Sequence, residues 1–323
     1  MSNSELGPVQ SSRWTKYIIL FCLGVILLYG LGRLYFCTTG GFCLSNITSN
    51  FTHEPRWEMR ALSESEQEDI KRILSQEFRY LGKGCQSYVF VSADGEYVIK
   101  FFKYQRFRPQ FWLRYFTFIP PVSNYYDKKV EEKKHKLEAL FTSWKIAFEE
   151  LQAETGLVYV HLNNNTHFLP ANFFFYDKIG LKHTVDMNKM EFLIQRKADM
   201  LCPAIEQLMV EGKKQNALLL LDKLLALIIS EYHRNLADND HALMQNTGVY
   251  RGEPIHVDVG QFVKNQEIND PSLYHQELFN KAYKFRIWLQ KNYPELLQHF
   301  DRELQREMGN TFFQMKHLPK KKN

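Results

Sequence analysis

Residues 78–103 read FRYLGKGCQSYVFVSADGEYVIKFFK. After the approach Phe78-Arg79-Tyr80-Leu81, Gly82 and Gly84 stand two positions apart. Tyr88-Val89-Phe90-Val91 reads as a strand, and Ala93-Asp94-Gly95-Glu96 as a turn with Asp-Gly as its hairpin signal. Tyr97-Val98-Ile99 opens a second strand, which carries Lys100. Glycine lets a backbone approach a ligand closely, so such a flap can lay N–H groups on phosphates. A lysine in the neighbouring strand reaches the same phosphates as a point charge. Taken alone, the stretch also fits an ordinary hairpin with two turn glycines.

The 323 residues suffice for one large or two small domains. Apolar residues make up 45% and charged ones 24%, as in ordinary globular proteins. A net charge of +5 is too small to argue for nucleic acid. Cys22, Cys37, Cys43, Cys85 and Cys202 contain no C-x-x-C pair, which disfavours a zinc site. Cys37 and Cys43 are read as two thiols, with a small disulfide loop as the alternative.

Upstream, residues 1–16 are polar and read as a disordered tail. Residues 17–37 begin YIILFCLGVILLYGL and read as a transmembrane helix, because about 20 residues cross a hydrocarbon core. Trp14, Tyr17, Tyr35 and Phe36 suit its interfaces, and Arg33 can snorkel. No small-x-small cleavage site follows, so an uncleaved single-pass anchor is preferred to a signal peptide. Basic residues flank both ends and leave orientation open; the following domain is placed on the cytoplasmic side. Residues 38–60 read as a linker, with sequons at Asn46 and Asn50. Ser63-Glu64-Ser65-Glu66 marks a helix start.

Downstream of Lys100 lies a basic-aromatic insertion, 101–121, FFKYQRFRPQFWLRYFTFIPP. It interleaves Lys103, Arg106, Arg108 and Arg114 with aromatics and has no acidic residue. Three readings stand: aromatics packed on the small lobe, contact with membrane lipid, and stacking on single-stranded nucleic acid. No specific nucleic acid is expected.

Leu137, Leu140, Phe141, Trp144, Phe148 and Leu151 recur at helical spacing and predict a long helix over 128–154. Strands follow at 157–162, 173–176 and 191–195, then a buried core helix over 216–232, interrupted by Asp222 and Lys223. After it, Asp238, Asp240 and Asn246 lie in one loop, and Asp258 ends the short apolar strand Ile255-His256-Val257. Phosphoryl transfer needs a carboxylate near the acceptor hydroxyl and oxygen ligands for Mg²⁺, and these residues can supply both.

The opening stretch resembles the glycine-rich loop and strand lysine of the protein-kinase-like superfamily, G-x-G-x-x-G-x-V followed by V-A-I-K. Here it runs Gly82-Lys83-Gly84-Cys85-Gln86-Ser87-Tyr88-Val89, with Ser87 at the third glycine, then Tyr97-Val98-Ile99-Lys100. Asp258-Val259-Gly260 stands where D-F-G would, and Asn246 where the metal-binding asparagine would. The family places its catalytic Asp five residues before that Asn; Asp240 lies six before and Asp238 eight before. The resemblance covers about residues 75–262, and no A-P-E element follows.

The resemblance implies an α+β, two-lobed kinase-like fold behind the anchor, with a small lobe over 61–198, a helical lobe over 199–315 and a basic tail over 316–323. It implies ATP and Mg²⁺ as cofactors. Gly82, Gly84, Ser87, Val89 and Lys100 would surround the nucleotide, Asn246 and Asp258 would bind metal, and Asp240, then Asp238, would be catalytic. A glutamate of the long helix would pair with Lys100, from among Glu138, Glu149, Glu150 and Glu154. The implied activity is transfer of the γ-phosphoryl group of ATP to a hydroxyl acceptor of unknown identity. The alternative is an inactive pseudokinase acting as a membrane-bound binding module.

Overall fold

The computed structural model describes residues 13–49, 54–163 and 168–316. The Asn50 sequon, residues 1–12 of the polar tail and the basic tail from 317 onward lie outside the described residues. Helix α1 spans Arg13–Thr39. At 1.5 Å per residue its 27 residues reach about 40 Å, long and apolar enough to cross a membrane. Its large apolar side chains are exposed along its length.

The remainder is a mixed α+β body with a β-rich region and a helical region. α2, Glu64–Leu74, opens with a full capping box, Ser63 and Glu66 each satisfying the other's backbone N–H. β1 (Phe78–Lys83), β2 (Ser87–Ser92) and β3 (Tyr97–Phe102) form the expected antiparallel meander. α3 covers Pro120–Glu150, beginning earlier than its apolar stripe because Pro120 and Pro121 suit a first helical turn. β4 (Leu157–His161), β5 (Phe173–Tyr176), β6 (Lys182–Val185) and β7 (Phe192–Arg196) complete a seven-stranded sheet of order β4-β7-β3-β2-β1-β5-β6.

β3 is an interior strand, between β7 and β2, and is buried throughout. Its alternation sends Phe101 to one face, against Phe90, Phe173, Phe175 and Phe192. Lys100 and Phe102 go to the other, where Phe102 meets Phe141 of α3. Val89 of β2 is in register with Lys100 and shares that second face.

After β8 (Asp199–Met200) come α4 (Leu201–Val210) and α5 (Lys214–His233). Then follow β9 (Leu236–Asp238), β10 (Thr247–Tyr250), β11 (Glu253–His256), β12 (Phe262–Lys264), α6 (Pro271–Asn292) and α7 (Pro294–Met308). Leu221, Leu224 and Ile228 of α5, Leu278 and Phe285 of α6 and Phe300 and Leu304 of α7 form a second core. α5 is thus the buried core helix that its apolar run predicts.

The segment after α1, read as a linker, is docked on the sheet. Phe42 and Ile47 are buried in the first core. Phe42 meets Tyr88, Phe90 and Phe175 edge-on, covering the face opposite α3. Tyr35 Oη of the last α1 turn donates to the Phe42 carbonyl at 2.7 Å. Tyr88 Oη donates to the Gly41 carbonyl, and Lys83 Nζ to that of Gly40 at 2.6 Å. Helix α1 is therefore joined firmly to the two strands that carry the glycine-rich bend. Asn46 Nδ2 donates to the Gly41 carbonyl at 3.0 Å, so the nitrogen a glycan would use is already engaged. Cys37 and Cys43 are both free thiols.

Phe42→Leu is expected to cost about 1–2 kcal/mol. Leucine keeps most of the apolar area but loses edge-on ring pairs worth about 0.5–1.5 kcal/mol each. Thermal unfolding of the full chain in detergent checks this. An unchanged melting temperature would mean that the segment leaves the sheet in solution.

Candidate active site

The glycine-rich bend lies between β1 and β2, above the face that carries Val89 and Lys100. A Cβ built on Gly82 would meet nothing within 4 Å, and one on Gly84 only Ser87 Oγ at 3.8 Å. Neither glycine has a positive φ. Packing and backbone strain therefore do not demand glycine here, and the space above the bend is open. The bend is held from its outer side: Lys103 Nζ donates to the Gly84 carbonyl, Arg106 Nη1 to that of Cys85 at 2.9 Å, and Lys103 N to that of Gln86 at 2.8 Å. Burial, together with the nearby cations Lys83 and Arg106, lowers Lys103 to a pKa of about 8. The first cations of the basic-aromatic insertion thus serve the bend.

Lys100 is buried beneath it and donates to the Val257 carbonyl. Burial pushes its pKa down to about 8, opposed by the adjacent charge of Asp258. Burial likewise raises Asp258, while Lys100 and the Gly260 N–H pull it back. Asp240 and Asp238 also raise Asp258, so all three carboxylates and the ammonium share one field. The structure brings these sequence-predicted residues together.

The expected helix glutamate is not at Lys100. Glu138 binds Arg56, Glu149 lies 3.9 Å from Lys145, Glu150 binds Lys264 and Glu154 binds Arg234. α3 instead presents Trp144, whose ring centroid is 5.8 Å from Lys100 Nζ, within cation–π range. One residue earlier, Ser143 Oγ donates to the Val259 carbonyl and accepts from Phe262 N at 2.8 Å. α3 therefore clamps the backbone of the Asp258-Val259-Gly260 element and leaves Lys100 to that element's own carbonyl and carboxylate.

Asp258 follows the end of β11, whose position is fixed from two sides. His256 pairs with Glu231 of α5, both fully buried, and the His256 carbonyl accepts from Gln195 Nε2 of β7 at 2.8 Å. Asn246 is half-buried at the end of a short helix, Leu243–Asn246, and its carbonyl accepts from Val257 N at 2.7 Å. The metal-binding candidates Asn246 and Asp258 are thereby adjacent.

β12 pairs with β9 so that Phe262 stands opposite Asp238. Asp238 is closed in: its Oδ2 accepts from Lys281 Nζ at 2.7 Å, each side chain being 2% exposed, and its Oδ1 accepts from Asp240 N at 3.0 Å. Asp240 is half-buried, with Oδ1 accepting from Ala242 N at 2.9 Å. Its other oxygen has no hydrogen-bond partner among the described residues, so of the two acids Asp240 is the one with capacity left for a ligand.

Sequence reasoning missed Gln86. Its Oε1 is buried without a hydrogen-bond partner among the described residues. A Cβ on Gly260 would stand 2.3 Å from that atom, so a larger residue there would push Gln86 aside. The bend and the Asp258 element meet through this amide. A glutamine between two turn residues carries no sequence signal of such a role. Ser143 had a faint one, as a small hydroxyl residue directly before Trp144 of the apolar stripe of α3.

No family model and no curated protein matches the chain. Solved structures that resemble it in part include two of WbdD. A crystal structure of WbdD shares 14% identity at a TM-score of 0.33, over 72% of this chain and 47% of that one. A co-crystal structure of WbdD with the kinase inhibitor LY294002 shares 16% at 0.31, over 74% and 50%. The chain spans about half the length of the solved chains it matches. Overlap at that level leaves the roles of residues to this chain's own geometry.

Proposed function

We propose that the chain is a membrane-anchored, kinase-like phosphotransferase that uses ATP and Mg²⁺. The observation that carries this reading is the buried Lys100 ammonium, set beside Asp258 below an open glycine bend. A buried cation lacking a full anionic partner is held at a cost that an entering phosphate relieves. The free space over Gly82 fits the same ligand. Lys100 would hold its phosphates, the bend would cover them, and Val89 would line the cleft. Asn246 and Asp258 would hold Mg²⁺, which supplies charge neutralisation on the phosphates when bound. Asp240 would orient the acceptor hydroxyl and take its proton as the new P–O bond forms and the bridging P–O bond to ADP breaks.

A second reading, a nucleotide-binding module without turnover, is favoured by one observation: Trp144 stands where the resemblance implies a glutamate. The two readings separate on the full chain in nanodiscs, scored for Mg²⁺-dependent ATP binding and for slow hydrolysis of ATP. Asp258→Asn is expected to remove the Mg²⁺ dependence of binding with little change in folding, since burial already disfavours the ionised carboxylate there. Asp240→Asn is expected to keep binding and lower hydrolysis by about 10²–10⁴-fold, the usual worth of a positioned base. Binding with hydrolysis unaffected by Asp240→Asn would favour the binding module. No binding at all would sink both.

A further inference from the structure

The basic-aromatic insertion divides into two parts. Tyr104 is buried and donates to Glu191 at 2.8 Å, Phe107 packs on the first core, and Leu113 is buried. These are packing residues. The rest turns outward: Phe111 is 80% exposed, Tyr115 72% and Phe118 78%, with Trp112, Phe116 and Ile119 also exposed. Trp112 meets Phe116 edge-on and Phe116 meets Phe118 at a tilt, each at 6.4 Å between ring centroids, forming a continuous apolar surface. Water-facing patches of this kind mark an interaction site.

Its place in the fold identifies the occupant. Arg108, three residues before Phe111, donates to the carbonyls of Ser45 and Thr48 in the docked segment after α1. Ser49, Arg108, Phe111, Arg114 and Tyr115 line one cavity, so the patch adjoins that segment. The segment is compact: Phe42 N bonds the Thr39 carbonyl at 3.3 Å, and Tyr35 reaches Phe42. Among the described residues the segment after α1 is therefore docked rather than a free tether, and the exposed aromatics lie beside it. Composition agrees, since no acidic residue occurs from Phe101 to Tyr126, and Arg114 is exposed among the rings.

We propose that the Phe111–Ile119 surface is immersed in the interface of the bilayer that α1 crosses, with its rings at the headgroup–acyl boundary and Arg114 on anionic phosphates. This rests on α1 spanning a membrane and is independent of the phosphotransferase reading. It fixes the body by two contacts and holds the glycine bend, through Arg106 and Lys103, at a set height above the membrane.

The test uses the full chain reconstituted in bilayers of phosphatidylcholine and phosphatidylglycerol, with and without brominated acyl chains. The emission of Trp112 is taken as wild type minus Trp112→Phe, which cancels Trp14, Trp57, Trp144 and Trp288. A ring-for-ring change at an exposed position preserves folding, and an unchanged melting temperature confirms this. The expected result is a blue-shifted difference emission, quenched severalfold by brominated lipid and unaffected by aqueous iodide. A difference emission quenched by iodide and not by brominated lipid overturns the proposal, because the patch then faces water. Protection from both quenchers also overturns it, because a protein surface then covers the rings.

Discussion

Lys281→Met is expected to lower global stability by about 3–5 kcal/mol, because it leaves the Asp238 carboxylate buried without its cation. Lys281 comes from α6 and Asp238 ends β9, so the pair bolts the helical region to the strand that leads into the Asp240 loop. Each side chain is 2% exposed and the contact is 2.7 Å, so water cannot replace the lost partner. The double variant Lys281→Met with Asp238→Asn should recover most of the loss, since the uncompensated charge is then gone. Urea unfolding of the full chain in detergent measures both. A loss below about 1 kcal/mol for Lys281→Met would show that Asp238 is hydrated, and would return it to candidacy as the catalytic acid. With the expected loss, Asp238 is scaffold, and the acid with capacity for a substrate hydroxyl is Asp240.

That distinction shows where the sequence was silent. The spacing of Asp238 and Asp240 from Asn246 ranks them, but the partner of Asp238 lies 43 residues away on another element. No local pattern announces a lysine buried on a helix. The β1–β3 meander was legible because its signals are local: two glycines, Asp-Gly, and strand alternation on either side. α5 was legible because apolar residues recur over its whole length. The docking of Phe42 and Ile47 was not, since isolated apolar residues among Gly, Thr, Ser and Asn have no period. The choice of helix partner for Lys100 failed for a related reason. Four glutamates lay on or near α3, and helical phase brings Ser143 and Trp144 to the buried side while all four bind surface cations. What the sequence conveyed of the convergence of Lys100 with Asp258 came from the order of the motifs in the resemblance, since Lys100 lies on β3 and Asp258 follows β11 of a separate sheet.

Lys100→Met is expected to stabilise the ligand-free chain at neutral pH and to abolish its stabilisation by nucleotide. Lys100 titrates near pH 8 in the fold, against about 10.4 in an unfolded chain. At about 1.4 kcal/mol per unit, the buried ammonium costs the native state about 3 kcal/mol below pH 8. Between pH 8 and about 10.4 the unfolded chain holds more protons than the folded one, so wild-type stability rises with pH across that window. Methionine fills the stem's volume without a charge, so the variant should start higher and lose Lys100's share of that rise, keeping only the part due to Lys103, which burial also lowers to about 8. The same charge is what a phosphate would find. At a hundredfold excess over its dissociation constant a ligand adds about 2.7 kcal/mol to wild-type stability. In the variant that increment should vanish, because the charge-assisted bond to phosphate is gone. Thermal melts from pH 6 to 10.5, with and without Mg-ATP, read both effects in one series. If the variant keeps the nucleotide shift, Lys100 does not touch phosphate and the site is misplaced. If instead the ligand-free variant is weaker than wild type at pH 7, the Val257 carbonyl and Asp258 already satisfy the ammonium. The cleft would then hold a finished ion pair rather than a cation awaiting its ligand.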